Sequence, residues 1–272
     1  MSLVSTSWLE KNLNKVKILD ATWHMPNTKR NALEEYTNEH IRNSIFFDID
    51  RFSKKNTDIP HMLPVEEEWA EIVANLGISN QDRIIIYDNS DVISSCRCWY
   101  TFIFFGHKPN LISVLDGGFQ KWKKENRKFT SKKTNIKKNT YIANKLDKLV
   151  KSKDEIEDNI IKKKFKVVDA RSKNRFLGLE KEPRPGLRSG SIQNSYCLPF
   201  NEIINKDDKT FLEKKIIKEK FAKLGIIEEN NVVFSCGSGI TAAVLSLAYS
   251  LINDKYLPTV YDGSWAEYGK KN

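Results

Sequence analysis

Short unbroken apolar runs and longer stretches of helical spacing alternate along this 272-residue chain. The runs at Lys17–Asp20, 83–87, Ile112–Leu115, Lys166–Asp169, 231–234 and 259–262 read as strands, and another strand ends at Phe46-Phe47-Asp48. Each is too short for a helix and too continuously apolar for a sheet with one wet face. Between them, residues 65–76 place Trp69, Ile72, Val73 and Leu76 at helical spacing. Residues 98–105, 154–163, 213–224 and 242–248 are further predicted helices. The alternation predicts an α/β fold built on mostly parallel sheets flanked by helices.

The pattern occurs twice. Val167-Val168-Asp169-Ala170-Arg171 echoes Ile18-Leu19-Asp20-Ala21-Thr22, and Asp262-Gly263-Ser264-Trp265 echoes Asp116-Gly117-Gly118-Phe119. Leu224-Gly225-Ile226 with Val232-Val233-Phe234 echoes Leu76-Gly77-Ile78 with Ile84-Ile85-Ile86. The offset stays near half the chain, which points to a duplication and two tandem domains, 1–135 and 146–272. Residues 127–144, rich in Lys, Asn and Thr, read as the linker.

The strand at 231–234 runs into Ser235-Cys236-Gly237-Ser238-Gly239-Ile240-Thr241 and then a helix. A cysteine on a Gly-rich turn ahead of a helix N-terminus faces backbone N–H groups and partial positive charge, which favour the nucleophilic thiolate. Thr241 is the expected helix cap. The aligned position in the first half is Asp88, so only the second half can perform thiolate chemistry.

Composition narrows this further. The formal net charge of +10 comes mostly from lysines, many of them between Lys121 and Lys166 and mixed with Asn and Ile. No aromatic-interleaved basic motif accompanies them, so nucleic acid is not an expected partner; attraction of small anions is. No apolar run has the length of a membrane span, and the first residues lack a signal-peptide pattern, so a cytoplasmic location is expected. The four cysteines, Cys96, Cys98, Cys197 and Cys236, have neither zinc-site spacing nor the number for a disulfide framework. Cys96, Cys98 and Cys197 read as packing residues, and no metal or organic cofactor is expected.

The Cys236–Thr241 loop resembles that of the tandem rhodanese-type sulfurtransferases, most of all the branch that uses 3-mercaptopyruvate. Glu182-Pro183-Arg184-Pro185-Gly186-Leu187-Arg188-Ser189-Gly190, Phe46-Phe47-Asp48-Ile49-Asp50 and His61-Met62-Leu63-Pro64 carry the same resemblance across the whole chain. It implies that Cys236 takes sulfur from 3-mercaptopyruvate as a persulfide, releases pyruvate, and passes the sulfur to cyanide, a small thiol or a thioredoxin-like protein. Gly237, Gly239, Ile240 and Thr241 would cradle the outer sulfur through backbone N–H groups. Arg175 and Arg184, with Arg188 as a third candidate, would bind the substrate carboxylate, to which a guanidinium presents a matching fork. Ser238 with His61 and Asp50, the last two contributed by the first domain, would relay a proton to the departing pyruvate. The family expectation is a monomer.

Thiosulfate-preferring relatives carry basic residues between the loop cysteine and its glycine, where this chain has Gly237-Ser238. A thiosulfate sulfurtransferase and a non-catalytic sulfur carrier are the alternative readings. A phosphatase on a related fold would need an arginine at position 242, which is alanine. The chain also departs from the family's Gly-His-Ile-Pro-Gly turn, having Gly190-Ser191-Ile192-Gln193-Asn194, with Glu39-His40-Ile41-Arg42-Asn43 in the first half. The expected consequence is for turn stability, and a shifted loop would carry Arg184 or Arg188 with it.

Overall fold

The predicted strands are strands, and every pairing between them is parallel. The computed structural model describes residues 2–227 and 231–271. They form two compact units: Met1–Lys54, Pro64–Leu146 and Lys206–Thr210 in the first, Lys55–Leu63, Asp147–Asn205 and Phe211–Asn272 in the second.

The first unit contains β1 (Leu3–Val4), α1 (Thr6–Asn12), β2 (Lys17–Asp20), α2 (Ala32–Asn38), β3 (Ser44–Phe46), α3 (Glu66–Asn75), β4 (Ile84–Tyr87), α4 (Ser95–Phe104), β5 (Ile112–Leu115) and α5 (Gly118–Lys124). Its sheet order is β1-β5-β4-β2-β3. Central β4 is buried at every residue, as its all-isoleucine start predicts. Every residue of α4 is buried too, including Cys96 and Cys98, whose thiols burial pushes well up. Trp69 of α3 packs on Phe102 and Phe105, with ring centroids 4.9 and 5.1 Å apart.

The second unit contains β6 (Val150–Lys151), α6 (Lys153–Lys162), β7 (Lys166–Asp169), α7 (Lys173–Phe176), β8 (Tyr196–Cys197), α8 (Lys214–Ala222), β9 (Val232–Ser235), α9 (Ile240–Ser250), β10 (Val260–Tyr261) and α10 (Ser264–Tyr268). Its order, β6-β10-β9-β7-β8, repeats that of the first unit. Ser152 opens α6 with a capping box: its hydroxyl accepts the Glu155 N–H, and the Glu155 carboxylate accepts the Ser152 N–H. The apolar α9 is buried from Ala242 to Tyr249, and Tyr249 packs with Phe221 and Tyr256 at 4.8 and 4.9 Å.

Four features differ from the sequence expectation. Residues 127–144 are strapped along the first unit: Thr130 pairs with His40, and the N–H groups of Asn139 and Asn144 donate to Ala74 and Phe105. Lys55–Leu63, with His61, packs in the second unit although it lies within 1–135. Cys197 is only half-buried, because it sits on an edge strand. Thr241 is not a cap: Gly239, at φ +81°, turns the chain into α9 two residues earlier. Both altered turns end on an asparagine. Asn43 and Asn194 stand at φ +68° and +63°, the left-handed position that asparagine tolerates nearly as well as glycine.

Asp20, at the carboxyl end of β2, supplies a test of this packing. Burial pushes its carboxyl up to about 7, against hydrogen bonds from Thr22. The folded state therefore holds this proton more tightly than the unfolded chain does. The stabilisation is full below about pH 4 and is lost as pH rises through 7. The carboxamide of an Asp20→Asn variant is neutral throughout. Urea midpoints for wild type and Asp20→Asn should move apart between pH 5 and pH 8, the variant gaining roughly 2–3 kcal/mol over wild type. An equal offset at both pH values contradicts this assignment.

Candidate active site

The site is built where β9 ends. In open parallel sheets the carboxyl ends of strands face the ligand crevice. Cys236 follows β9 directly and is buried. Ser264 Oγ accepts its N–H at 3.2 Å, while its carbonyl accepts the Trp265 N–H at 2.9 Å. The Gly237 carbonyl accepts the Ala266 N–H at 2.8 Å. Both loop carbonyls are thus tied back to the first turn of α10. Among the described residues, no protein acceptor takes the N–H groups of Gly237, Ser238, Gly239, Ile240 or Thr241. Those five donors at the start of α9 form the concave, positively polarised surface that anions favour.

Three side chains converge on this loop. His61 Nδ1 lies 2.8 Å from Ser238 Oγ, and Arg184 Nη2 donates to the same oxygen at 3.3 Å. The serine oxygen has two lone pairs and one proton, so beside the arginine it can either donate to His61 Nδ1 or accept from it, according to the imidazole tautomer. His61 is itself at φ +62°, a left-handed conformation unusual for a side-chain-bearing residue. The third is Arg175. A Cβ on residue 237 would lie 3.2 Å from Arg175 Nη2 and 3.6 Å from Arg184 Nη1, so both guanidinium groups lean over Gly237.

Arg175 is held by Glu182, whose carboxylate accepts its Nη2 at 2.6 Å and its Nε at 3.2 Å. Glu182 also accepts Arg171 Nη1 at 2.7 Å, and Arg171 forks onto Asp169 through Nε and Nη2 at 2.9 and 2.7 Å. The side chains of Asp169, Arg171 and Glu182 are at most 2% exposed. Burial opposes the charge on Arg171, and the two carboxylates outweigh it. The Arg171 guanidinium also lies over the Trp265 ring at 4.4 Å.

Two further predicted residues have partners of their own. Arg188 lies over Trp265 and Tyr268, at 4.6 and 5.2 Å, and its carbonyl accepts the Trp265 indole N–H at 2.9 Å. Asp50, in the turn after β3, accepts the Trp23 indole N–H at 3.0 Å within the first unit. Residues 182 and 264 received no individual role from the sequence. Glu182 is the acidic residue of an otherwise basic, proline-rich turn. Ser264 replaces Gly118 of the first repeat and shares its positive φ, 48° against 54°.

The first unit's counterpart loop holds a carboxylate in the thiol's place. Asp88 stands where Cys236 does, and its carbonyl accepts the Phe119 N–H as that of Cys236 accepts Trp265. Its carboxylate accepts the N–H groups of Ser90 and Ser95 at 2.8 and 2.9 Å. The protein's own anion fills that helix start. Among the described residues no cluster of three or more His, Cys, Asp or Glu side chains could hold a metal ion.

Fold and site together define a tandem-domain protein with one cysteine-bearing anion loop. The chain belongs to the rhodanese-like domain family, which matches residues 5–125 and again 152–271. The Arabidopsis thaliana protein named thiosulfate/3-mercaptopyruvate sulfurtransferase 1, mitochondrial, is 35% identical over 98% of this chain and 75% of its own. Mouse 3-mercaptopyruvate sulfurtransferase is 36% identical over 98% of this chain and 91% of its own. Mouse thiosulfate sulfurtransferase is 34% identical over 99% and 92%. The structure of SseA from Escherichia coli, described as a 3-mercaptopyruvate sulfotransferase of rhodanese fold, superposes with a TM-score of 0.86 at 27% identity, covering 98% of this chain and all of that one.

Arg171→Met tests the buried ion cluster. It leaves two carboxylates in the interior with one of them, Asp169, stripped of its side-chain partner. Stability at pH 7.5 should fall by about 3–5 kcal/mol. Part of the loss should return at pH 5, where the stranded carboxyl can take up a proton. A pH-independent loss in urea titrations, or none, refutes this account.

Proposed function

We propose that the protein is a 3-mercaptopyruvate sulfurtransferase. The observation that carries the reading is the convergence of Arg175 and Arg184 over Gly237, beside Cys236. A donor with a carboxylate next to its transferable sulfur suits that arrangement. The Cys236 thiolate attacks the donor sulfur; an S–S bond forms, the C–S bond breaks, and pyruvate leaves as its enolate. The N–H groups of Gly237, Gly239, Ile240 and Thr241 hold the outer sulfur of the persulfide. Ser238 passes its proton to the enolate carbon. His61 restores it from Nδ1, with the proton that the donor thiol gives up. A second thiolate, or cyanide, then attacks the outer sulfur and regenerates Cys236.

Asp50 enters as the carboxylate that the resemblance assigns to His61, so Asp50→Asn should lower kcat as His61→Gln does. A thioredoxin-like or small-thiol acceptor, a monomeric state and a cytoplasmic location belong to the same proposal. Thiosulfate is the second donor to test, since a relative named for it is 34% identical, against 36% for one named for mercaptopyruvate. The same arginines would attract it. Against it, no cationic side chain stands between Cys236 and Gly239.

The test is kcat/KM for both donors with a thiol acceptor. The reading predicts a clear preference for 3-mercaptopyruvate and no turnover by Cys236→Ser. Arg184→Gln should raise KM roughly 10- to 100-fold, the worth of one charge-assisted hydrogen bond. A thiosulfate preference would overturn the donor assignment, and no turnover with either donor would favour a sulfur carrier.

A further inference from the structure

The segment Asp262–Ala266, which leads from β10 into the first turn of α10, carries more than the Cys236 loop. Ser264, Trp265 and Ala266 hold Cys236 and Gly237 by their backbones. Four residues or fewer away on the same segment, buried Asp262 accepts the Leu63 N–H at 2.8 Å through Oδ2. Leu63 is two residues beyond His61, on the strap Lys55–Leu63 that packs in the second unit. That strap contains no helix or strand to hold it. Lys270 pairs with Asp58 near its start, but that pair is exposed and weak. The bond to Asp262 is part-buried, is made by a carboxylate that is itself buried, and lies two residues from the imidazole.

We propose that Asp262 is a positioning residue, whose carboxylate sets the register of His61 against Ser238. One five-residue segment then gauges both partners: its serine and two backbone N–H groups fix the nucleophile loop, and its aspartate fixes the chain that delivers the histidine. The left-handed backbone of His61 fits this role. A strained conformation persists only where neighbours over-determine it, and the Leu63 amide, two residues on, is anchored to a buried carboxylate. A displacement of about 1 Å between a base and its proton is enough to cost a large rate factor. The proposal rests on the reading that His61 acts through Ser238.

The experiment is a double-mutant cycle on kcat and KM for 3-mercaptopyruvate, with Asp262→Ala, His61→Gln and the pair. Asp262→Ala should lower kcat roughly 10- to 100-fold, a part of what proton transfer contributes, and leave KM nearly unchanged. In the His61→Gln background the same change should have no further effect. Asp262→Asn, which keeps an oxygen for the Leu63 amide, should recover most of kcat. Asp262→Ser, polar but too short to reach that amide, replaces the alanine variant if the latter does not fold. If Asp262→Ala costs the same factor with and without His61, its role is structural and the proposal is overturned. Unchanged kcat in Asp262→Ala overturns it as well. Wild-type kcat in His61→Gln removes the relay itself, and the proposal with it, which is a different result from additivity.

Discussion

Trp265 is the residue through which the catalytic half is braced. Its backbone N–H holds the Cys236 carbonyl, its indole N–H holds the Arg188 carbonyl, and the guanidinium groups of Arg171 and Arg188 lie over its ring. Arg171 in turn reaches Glu182, and Glu182 holds Arg175. The nucleophile loop and the arginine that leans over it are thereby connected through buried, charge-assisted contacts. Such a chain tolerates little slack, because each buried charge left without its partner costs several kcal/mol. That constraint converts a mobile-looking proline-rich loop into a fixed anion site.

The duplication shows the same frame with different occupants. Both sheets share one strand order, and both strand-to-helix loops are pinned by the same carbonyl contact from the turn after the last strand. In the first unit the carboxylate of Asp88 satisfies the N–H groups at the start of α4, and Asp20 has Thr22 beside it where Asp169 has Arg171. That helix start is therefore satisfied by the unit's own side chain. In the second, the arginine and the cysteine replace those groups, the helix start is left with open donors, and guanidinium groups stand over a glycine that offers no side chain in their way.

Much of this was legible because burial imprints the sequence strongly at strands. Runs such as Ile84-Ile85-Ile86 and Val232-Val233-Phe234 cannot be placed at a surface, so strands, repeat and loop position follow. The site was legible where chemistry needs a rare residue pattern: Cys236 between apolar strand and glycines, Arg184 between prolines. It was less so where the role depends on long-range packing. Nothing local tells that residues 55–63 lie in the second unit, or that Arg188 stacks on Trp265. Nor does composition reveal that residues 127–144 are strapped to a domain; their backbone hydrogen bonds do that, and lysines carry no trace of them. Thr241 misled because threonine caps helices well, whereas here the positive φ of Gly239 ends the turn first.

The account turns on Cys236 accepting one sulfur atom while an enolate leaves. The most direct measurement is the intact mass of the protein after a single exposure to 3-mercaptopyruvate without acceptor, with pyruvate counted in the same sample. The account predicts a gain of one sulfur atom per chain, one pyruvate released for each, loss of the added mass on reduction, and neither change in Cys236→Ser. Pyruvate release without the added sulfur, or the same gain in mass in the Cys236→Ser variant, would contradict it.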